Sequence, residues 1–278
     1  MRIDAHIHGG FMDMSREEIR AGSGTLVEKL RQAGLDGAVI LSAAPFRADG
    51  SEPEKRMIDT LDFCSGHERL YPFYWINPLD SDAISQVDRA VELGYDGFKM
   101  ICVNYYPGCR ESMEVLQRIS EKNKPVLFHS GILWNDGPSA NYNRPGNFEA
   151  LLEIPRLRFA LAHISWPWCD ECIAVYGKFI QATRSRSDAC EMFIDVTPGT
   201  PRVYRDEVYR HLLCTGYDIK NNIFFGTDSG AANYNVEGSK GWQEYDDSLY
   251  EKYLDCDVED FKQHVYYNNV MRFMGKEL

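Results

Sequence analysis

This 278-residue sequence contains a small set of histidine and aspartate residues that could bind a metal ion or take part in catalysis. His6 and His8 stand two residues apart at the end of a short apolar stretch, residues 2–5, which we predict to be a buried strand. Because side chains on a strand alternate between its faces, residues i and i+2 point the same way, about 6–7 Å apart. Two imidazoles so placed can bind one metal ion, although an isolated His-x-His is more often a surface pair.

Three more residues of this kind end later apolar stretches. They are His129, His163 and Asp228, the last within the small-residue turn Gly-Thr-Asp-Ser-Gly. A lone aspartate in such a turn usually caps it, so its meaning depends on where the fold places it. We expect the other three histidines, at positions 67, 211 and 264, to be structural.

Eight apolar stretches alternate with longer amphipathic segments, which is typical of a parallel sheet joined by helices. The predicted strands are residues 2–5, 37–41, 71–76, 96–101, 125–129, 158–163, 192–196 and 222–228. In a closed barrel every strand delivers its C-terminal end to one face, so residues from strands one, five, six and eight can meet there. An open sheet would separate them. The sequence therefore predicts an α/β fold, a (β/α)8 TIM barrel with allowance for distortion, and its site at the C-terminal ends of the strands.

Boundary signals complete the fold prediction. Thr25 and Glu28 are interpreted as the capping box of a helix ending at Gly34, and residues 258–274 as a closing helix. No internal repeat or linker-like segment divides the sequence, so a single domain over residues 1–278 is expected.

Composition limits the partners and the compartment. The formal net charge of −12 argues against nucleic acid or an anionic membrane as a partner, and no apolar run could span a bilayer. The first predicted strand begins at residue 2, so we expect no signal peptide and a cytoplasmic protein. The eight cysteines are expected to be reduced thiols, including the lone C-x-x-C at Cys169 and Cys172. A small-molecule substrate is the expected partner, and self-association into a homo-oligomer is left open.

The arrangement resembles the amidohydrolase superfamily. The resemblance rests on His-Ile-His in strand one, a histidine ending each of strands five and six, and Thr-Asp in strand eight. Three stretches are similar to its amidohydrolase-related branch of sugar lactonases, a pyrone-dicarboxylate lactonase and metal-dependent non-oxidative decarboxylases. They are Ala-His-Ile-Ser-Trp-Pro-Trp (162–168), Phe-Gly-Thr-Asp (225–228) and Asn-Asn-Val-Met-Arg-Phe-Met-Gly (268–275).

The resemblance implies a metal site and roles for its residues. His6, His8, His129 and Asp228 would bind one divalent ion, for which three nitrogens and a carboxylate suit Zn²⁺, with Mn²⁺ or Fe²⁺ as alternatives. A water activated by the ion would be the nucleophile. Asp228 would act as general base, and His163 would polarise the substrate carbonyl or hold the water.

Lys99, in predicted strand four, has three interpretations. Binuclear members of the superfamily carry a carboxylated lysine at this point, which would bridge two ions bound in part by His129 and His163. The alternatives are a free ammonium that contacts an anionic substrate and a strand lysine with no chemical role. One metal ion is the interpretation that we favour.

Loop residues after the strands are the candidates for substrate contact. Arg47 and Arg144 could bind a carboxylate, although an arginine in such a loop is more often a solvated surface residue. Trp134 and Trp166 could line a ring, although aromatic residues after strands often only pack loops. The leading hypothesis is hydrolysis of a lactone or amide-like bond in a small molecule. The alternatives are decarboxylation or hydration of a small unsaturated or aromatic carboxylic acid, and an inactive binding scaffold.

Overall fold

A curved parallel sheet forms the centre of the molecule. The computed structural model describes residues 1–11, 14–45, 53–135 and 137–277. The strands are β1 (Ile3–His8), β2 (Gly37–Leu41), β3 (Leu70–Trp75), β4 (Gly97–Met100), β5 (Pro125–Phe128), β6 (Arg158–Leu161), β7 (Glu191–Asp195), β8 (Ile223–Phe224) and β9 (Ser229–Gly230). Their order in the sheet is β8-β7-β6-β5-β4-β3-β2-β1-β9, and every pair is parallel.

Helices connect the strands on the outside of the sheet. They are α1 (Arg16–Gln32), α2 (Pro53–Cys64), α3 (Ala83–Glu92), α4 (Arg110–Glu121), α5 (Ser139–Tyr142), α6 (Cys169–Ser185), α7 (Arg202–Cys214), α8 (Val236–Tyr253), α9 (Val258–Gln263) and α10 (Asn269–Met274). A 3₁₀ segment, Pro145–Glu153, precedes β6. The apolar faces of these helices, except α10, pack against the outward-facing strand residues in one continuous core.

The sheet closes because β8 and β9 belong to one stretch of chain. β8 pairs with β7, and β9 pairs with β1. Between these two short strands, the Ala5 amide donates to the Phe225 carbonyl at 3.0 Å and the Asp228 amide donates to the His6 carbonyl at 2.9 Å. The result is a distorted (β/α)8 barrel, which confirms the predicted fold class.

The inside of the barrel is filled from its N-terminal end. Inward-facing residues of several strands form a second apolar cluster together with α10. Phe273 of α10 packs against Phe73, Phe193 and Phe224, with ring centroids 5.1–6.2 Å apart. Burial of each such ring contributes roughly 1.5–3 kcal/mol. Apolar residues therefore close one end of the barrel, and its C-terminal end holds the polar site.

Several predicted boundaries are wrong. β1 continues to His8, so both histidines lie within the strand rather than after it. The eighth strand is interrupted between β8 and β9, because Asp228 has a left-handed backbone (φ 58°). α1 begins at Arg16 with a capping box of Ser15 and Glu18, whereas Thr25 lies inside the helix.

Two further elements differ from the sequence prediction. The sixth strand ends at Leu161 and is followed by a tight turn, Ala162–Ser165, whose last three residues have left-handed backbone angles. The closing helix has three parts, α9, a π-helical turn (His264–Asn268) and α10. In the parts of the chain that the structure describes, no helix is both long and apolar enough to cross a membrane.

Candidate metal centre

Three of the predicted ligands converge at the C-terminal end of the barrel. His6 and His8 project from the same face of β1, and their Nε2 atoms are 3.3 Å apart. Oδ1 of Asp228 lies 3.3 Å from Nε2 of His6 and 3.0 Å from Nε2 of His8. Among the described residues these side chains are the group whose ligand atoms all lie close enough to hold one ion.

Backbone geometry brings Asp228 to β1. Asp228 adopts the left-handed region that non-glycine residues rarely occupy, and this turns its carboxylate toward the histidines. Gly226 precedes it, where a Cβ would lie 2.7 Å from Cβ of His6 and 2.6 Å from Oγ1 of Thr197. Only glycine allows the chain to approach β1 this closely, so the close approach and the ligand position depend on each other.

Asp195, at the end of β7, orients His6. Its Oδ2 accepts a hydrogen bond from Nδ1 of His6 at 2.7 Å, and both side chains are buried. With the proton held on Nδ1, the lone pair on Nε2 faces His8 and Asp228. A carboxylate behind a ligating imidazole fixes its tautomer and raises its basicity. Sequence reasoning missed Asp195, which lies one residue before the end of the predicted seventh strand, 192–196; a carboxylate on an otherwise apolar strand is the signal that could have found it.

His163 and His129 lie beside this cluster. Rings of His163 and His6 are 5.5 Å apart, and rings of His163 and His129 are 5.0 Å apart. Nδ1 of His163 lies 3.3 Å from the Pro198 carbonyl, so it carries the proton and leaves Nε2, 4.0 Å from Oδ2 of Asp228, as an acceptor. His129 has the opposite tautomer, because its Nε2 lies 3.2 Å from the Ile132 carbonyl.

A left-handed turn aims His163 at the site. His163, Ile164 and Ser165 have φ values of 63°, 48° and 56° in succession. Such residues each cost of the order of 1–3 kcal/mol and persist where the surroundings hold them. Gly199 lies against the turn, since a Cβ there would be 2.8 Å from Cβ of His163.

Burial sets the protonation of these groups. It lowers the pKa of His163 to about 4, and it lowers the pKa values of His6 and His129 well below the usual imidazole value. Burial opposes ionisation of Asp228, but the neighbouring histidines outweigh it and hold the pKa of this carboxyl below its usual range. At neutral pH the centre therefore contains these neutral imidazoles and an ionised carboxylate, the forms that bind metals.

The donor set fits a divalent ion. The Nε2 atoms of His6 and His8 and Oδ1 of Asp228 face one point. Two nitrogens and a carboxylate oxygen are three ligands of a catalytic zinc-type site, in which one position stays open. Among the described residues, the group of close ligand atoms does not include His129, so its role as a fourth ligand stays a prediction.

Lys99 is fully buried next to the cluster. Its Nζ lies 3.4 Å from Nε2 of His6, and it extends from the middle of β4. Burial lowers the pKa of its ammonium to about 8, while Asp228 and Asp195 favour the charged form. At neutral pH the lysine supplies a positive charge between two carboxylates.

A pocket opens from the centre toward solvent. Its lining residues are His129, Ser130, Ile132, Trp134, His163, Trp166, Pro198, Gly199 and Asp228. Trp166 stacks on Tyr204 with ring centroids 4.9 Å apart, and Trp134 stands at the mouth with 91% of its surface exposed.

The two predicted arginines are placed differently. Arg144 bonds Glu171 through Nε at 3.1 Å and Nη2 at 2.5 Å, so its guanidinium is paired outside the pocket. Arg47 lies outside the described residues. The three histidines expected to be structural also lie away from the centre: His67 precedes β3, His211 pairs with Asp170 at 2.8 Å, and His264 is in the π-helical turn.

Comparison with known proteins adds structural neighbours. No protein-family model and no curated protein matches this sequence. Among solved structures, 5-carboxyvanillate decarboxylase from Novosphingobium aromaticivorans with bound manganese has a TM-score of 0.66 and 11% identity over 99% of this chain and 97% of that chain. A probable 2-pyrone-4,6-dicarboxylic acid hydrolase from Acinetobacter baumannii has a TM-score of 0.63 and 12% identity, and the match covers 99% of each chain. Amidohydrolase 2 from Bifidobacterium longum subsp. infantis has a TM-score of 0.62 and 14% identity, and the match again covers 99% of each chain.

These neighbours are members of the amidohydrolase superfamily. The chain shares their (β/α)8 fold over nearly its whole length, as the sequence resemblance implied. At 11–14% identity the comparison establishes the fold, so the chemistry has to be argued from the residues of this chain.

Proposed function

We propose that this protein is a metal-dependent enzyme of the amidohydrolase superfamily that hydrolyses a lactone or amide-like bond in a small molecule. One observation carries the proposal: His6, His8 and Asp228 point their ligand atoms at one position, and Asp195 fixes the His6 tautomer that this requires. A scaffold without chemistry would have no use for buried, oriented histidines in that arrangement. Zinc as the ion and a cytoplasmic location belong to the proposal.

Each residue of the centre has a role in hydrolysis. A bound divalent ion would supply Lewis-acid activation of water and substrate carbonyl. The Asp228 carboxylate accepts the proton of the attacking water and returns it to the leaving group. His163 presents Nε2 to the same space, 4.0 Å from Oδ2 of Asp228, and there holds the water or receives a proton. Lys99 offsets the charge of the carboxylates and can attract an anionic substrate.

The pocket favours a substrate with a flat apolar portion. Trp166, Trp134 and Ile132 supply its large apolar side chains. Aromatic side chains bind flat rings by stacking or edge contacts. Because Arg144 is paired with Glu171, the described residues provide Lys99 rather than an arginine as the cation nearest the centre.

Decarboxylation or hydration of a small unsaturated or aromatic carboxylic acid is the second candidate. The neighbour that binds manganese is a decarboxylase, and the buried ammonium of Lys99 would suit a carboxylate bound at the centre. In this reaction Asp228 or His163 would first take up a proton from water and then deliver it to the carbon that loses the carboxyl group, with carbon dioxide as the leaving group. The same residues therefore support both candidates, and only the substrate distinguishes them.

Two measurements test the proposal. Purified protein is expected to carry about one equivalent of divalent ion by elemental analysis, and His6→Ala is expected to lose most of it, because removal of a ligand disturbs charge and geometry. His67→Ala is the matched control, since it removes a histidine far from the centre. Full metal retention in His6→Ala would contradict the ligand assignment.

A substrate panel then separates the reactions. Lactones, cyclic amides and aromatic carboxylic acids are incubated with the metal-loaded protein, while proton release and carbon dioxide are followed in parallel. Acid release from a lactone or amide supports hydrolysis, whereas carbon dioxide supports the second candidate. If the metal-loaded protein turns over no compound of the panel faster than Asp228→Asn does, the proposed enzymatic activity is contradicted.

A further inference from the structure

Asp4 is a buried carboxylate close to the metal centre that is not one of its ligands. It lies on β1 two residues before His6 and is fully buried. In the described part of the chain, no lysine or arginine forms an ion pair with it. A buried carboxylate without a cation is costly unless hydrogen bonds satisfy its oxygens.

Hydrogen-bond donors surround both oxygens of Asp4. Oδ1 accepts from the backbone amides of His6 at 3.1 Å and Thr227 at 3.0 Å. Oδ2 accepts from the Thr227 hydroxyl at 2.6 Å and the Tyr234 hydroxyl at 2.9 Å. The carboxylate therefore connects β1 with the segment between β8 and β9, because it accepts hydrogen bonds from both the backbone amide and the side chain of Thr227.

These hydrogen bonds lie next to a proposed metal ligand. Thr227 immediately precedes Asp228, and Oγ1 of Thr227 also accepts from the Ser229 amide at 3.3 Å. The hydroxyl thus spans the left-handed residue, from Asp4 on one side to Ser229 on the other. An aspartate with left-handed backbone angles persists only where its surroundings hold it in that conformation, and these hydrogen bonds do so.

We propose that Asp4 and Thr227 are positioning residues, which hold the Asp228 carboxylate at coordinating distance from His6 and His8. This inference rests on the proposed function, because it assigns the two residues to the same metal centre. Without the hydrogen bonds between Asp4 and Thr227, the turn at Asp228 can relax toward ordinary backbone angles. The Asp228 carboxylate then moves away from the Nε2 atoms of the histidines.

Zn²⁺ affinity of the metal-free protein tests this inference without a substrate. Thr227→Val removes the hydroxyl and keeps the shape, and it is expected to weaken Zn²⁺ binding by about 10–100-fold, the usual effect of losing an outer-shell partner. Thr227→Ser keeps the hydroxyl and is expected to stay within about threefold of the unmodified protein. Asp4→Asn, which removes the negative charge that accepts all four hydrogen bonds, is expected to lose affinity as Thr227→Val does.

Thr60 provides the matched control. It is a fully buried threonine in α2, whose hydroxyl donates to the Arg56 carbonyl at 2.9 Å, away from the centre. Thr60→Val is expected to lower the melting temperature of the metal-free protein and leave Zn²⁺ affinity unchanged. A merely structural role for Thr227 would give that same pattern.

The outcomes are distinguishable. Zn²⁺ affinity of Thr227→Val within threefold of the unmodified protein would overturn the inference and leave the proposed function standing. An unmodified protein that binds no Zn²⁺, Mn²⁺ or Fe²⁺ would overturn both. Circular dichroism of each metal-free variant shows whether it is folded, and Asp4→Asn decides the question if Thr227→Val is not.

Discussion

Asp195→Asn is expected to weaken metal binding, because the amide cannot replace the carboxylate in both of its contacts. Oδ2 of Asp195 accepts from Nδ1 of His6, while Oδ1 accepts from the amide of Thr197 at 2.7 Å and from its hydroxyl. An asparagine that turns its NH₂ group toward His6 forces the imidazole proton onto Nε2 and blocks the metal-binding lone pair. An asparagine that turns it toward Thr197 places two donors face to face.

The size of the effect follows from these contacts. A hydrogen bond to a charged group contributes about 1.5–3 kcal/mol and a neutral one about 0.5–1.5 kcal/mol, so losing the charge alone costs about 1 kcal/mol. The tautomer conflict or the facing donors add to this. Because each 1.4 kcal/mol is about tenfold in affinity, the dissociation constant should rise by roughly 10–100-fold.

Competition between metal-free protein and a chromophoric chelator for Zn²⁺ measures the change. Asp96→Asn is the matched control, because Asp96 pairs with Lys276 at 2.7 Å and precedes β4 at the opposite end of the barrel. It is expected to bind Zn²⁺ like the unmodified protein. A folded Asp195→Asn that binds Zn²⁺ within threefold of this control would refute the reasoning that the carboxylate sets the His6 tautomer.

Three other predictions concern the same fold. Lys99→Met should leave one ion bound; a second ion that depends on bicarbonate in the unmodified protein, by elemental analysis, would contradict this. Because burial lowers the pKa of His163 to about 4, the unfolded state takes up its proton first as pH falls. Relative to His163→Gln, the metal-free protein should lose roughly 2 kcal/mol of stability between pH 7 and 5 in urea titrations, and parallel curves would refute this. Asp246→Asn leaves the buried Arg205 without its ion-pair partner and should lower the free energy of unfolding by about 3–5 kcal/mol. Asp206→Asn, which breaks a solvent-accessible ion pair with Lys252, is the control and should have a much smaller effect.

The sequence supplied the positions of the strands and of most of the centre because both depend on local patterns. Short apolar stretches separated by amphipathic helices predict a barrel, and a barrel brings strand ends together. His6, His8 and Asp228 lie together as that reasoning predicted, and His163 and His129 adjoin them. Whether His129 binds the ion and His163 takes part in the reaction stay predictions.

Features that depend on tertiary contacts were not predictable. The break between β8 and β9 arises from the left-handed Asp228, which no local pattern indicates. Arg144 looked suited to a carboxylate ligand, and it does bind a carboxylate, but that of Glu171 within the chain. Asp195 lies inside the predicted seventh strand, where no local pattern indicates that its carboxylate meets His6 of the first strand.

The position of the centre at the closure of the barrel has a consequence for how the protein opens. His6 and His8 lie on one side of the seam and Asp228 on the other, more than 200 residues away along the chain. An ion bound by all three would act as a clasp between the first strand and the last. Its binding energy would add directly to the work of separating them. Amide hydrogen exchange should therefore slow on metal addition in residues 3–8 and 225–230 more than in β3 to β5, so the first and last strands of the barrel would report occupancy of the metal centre.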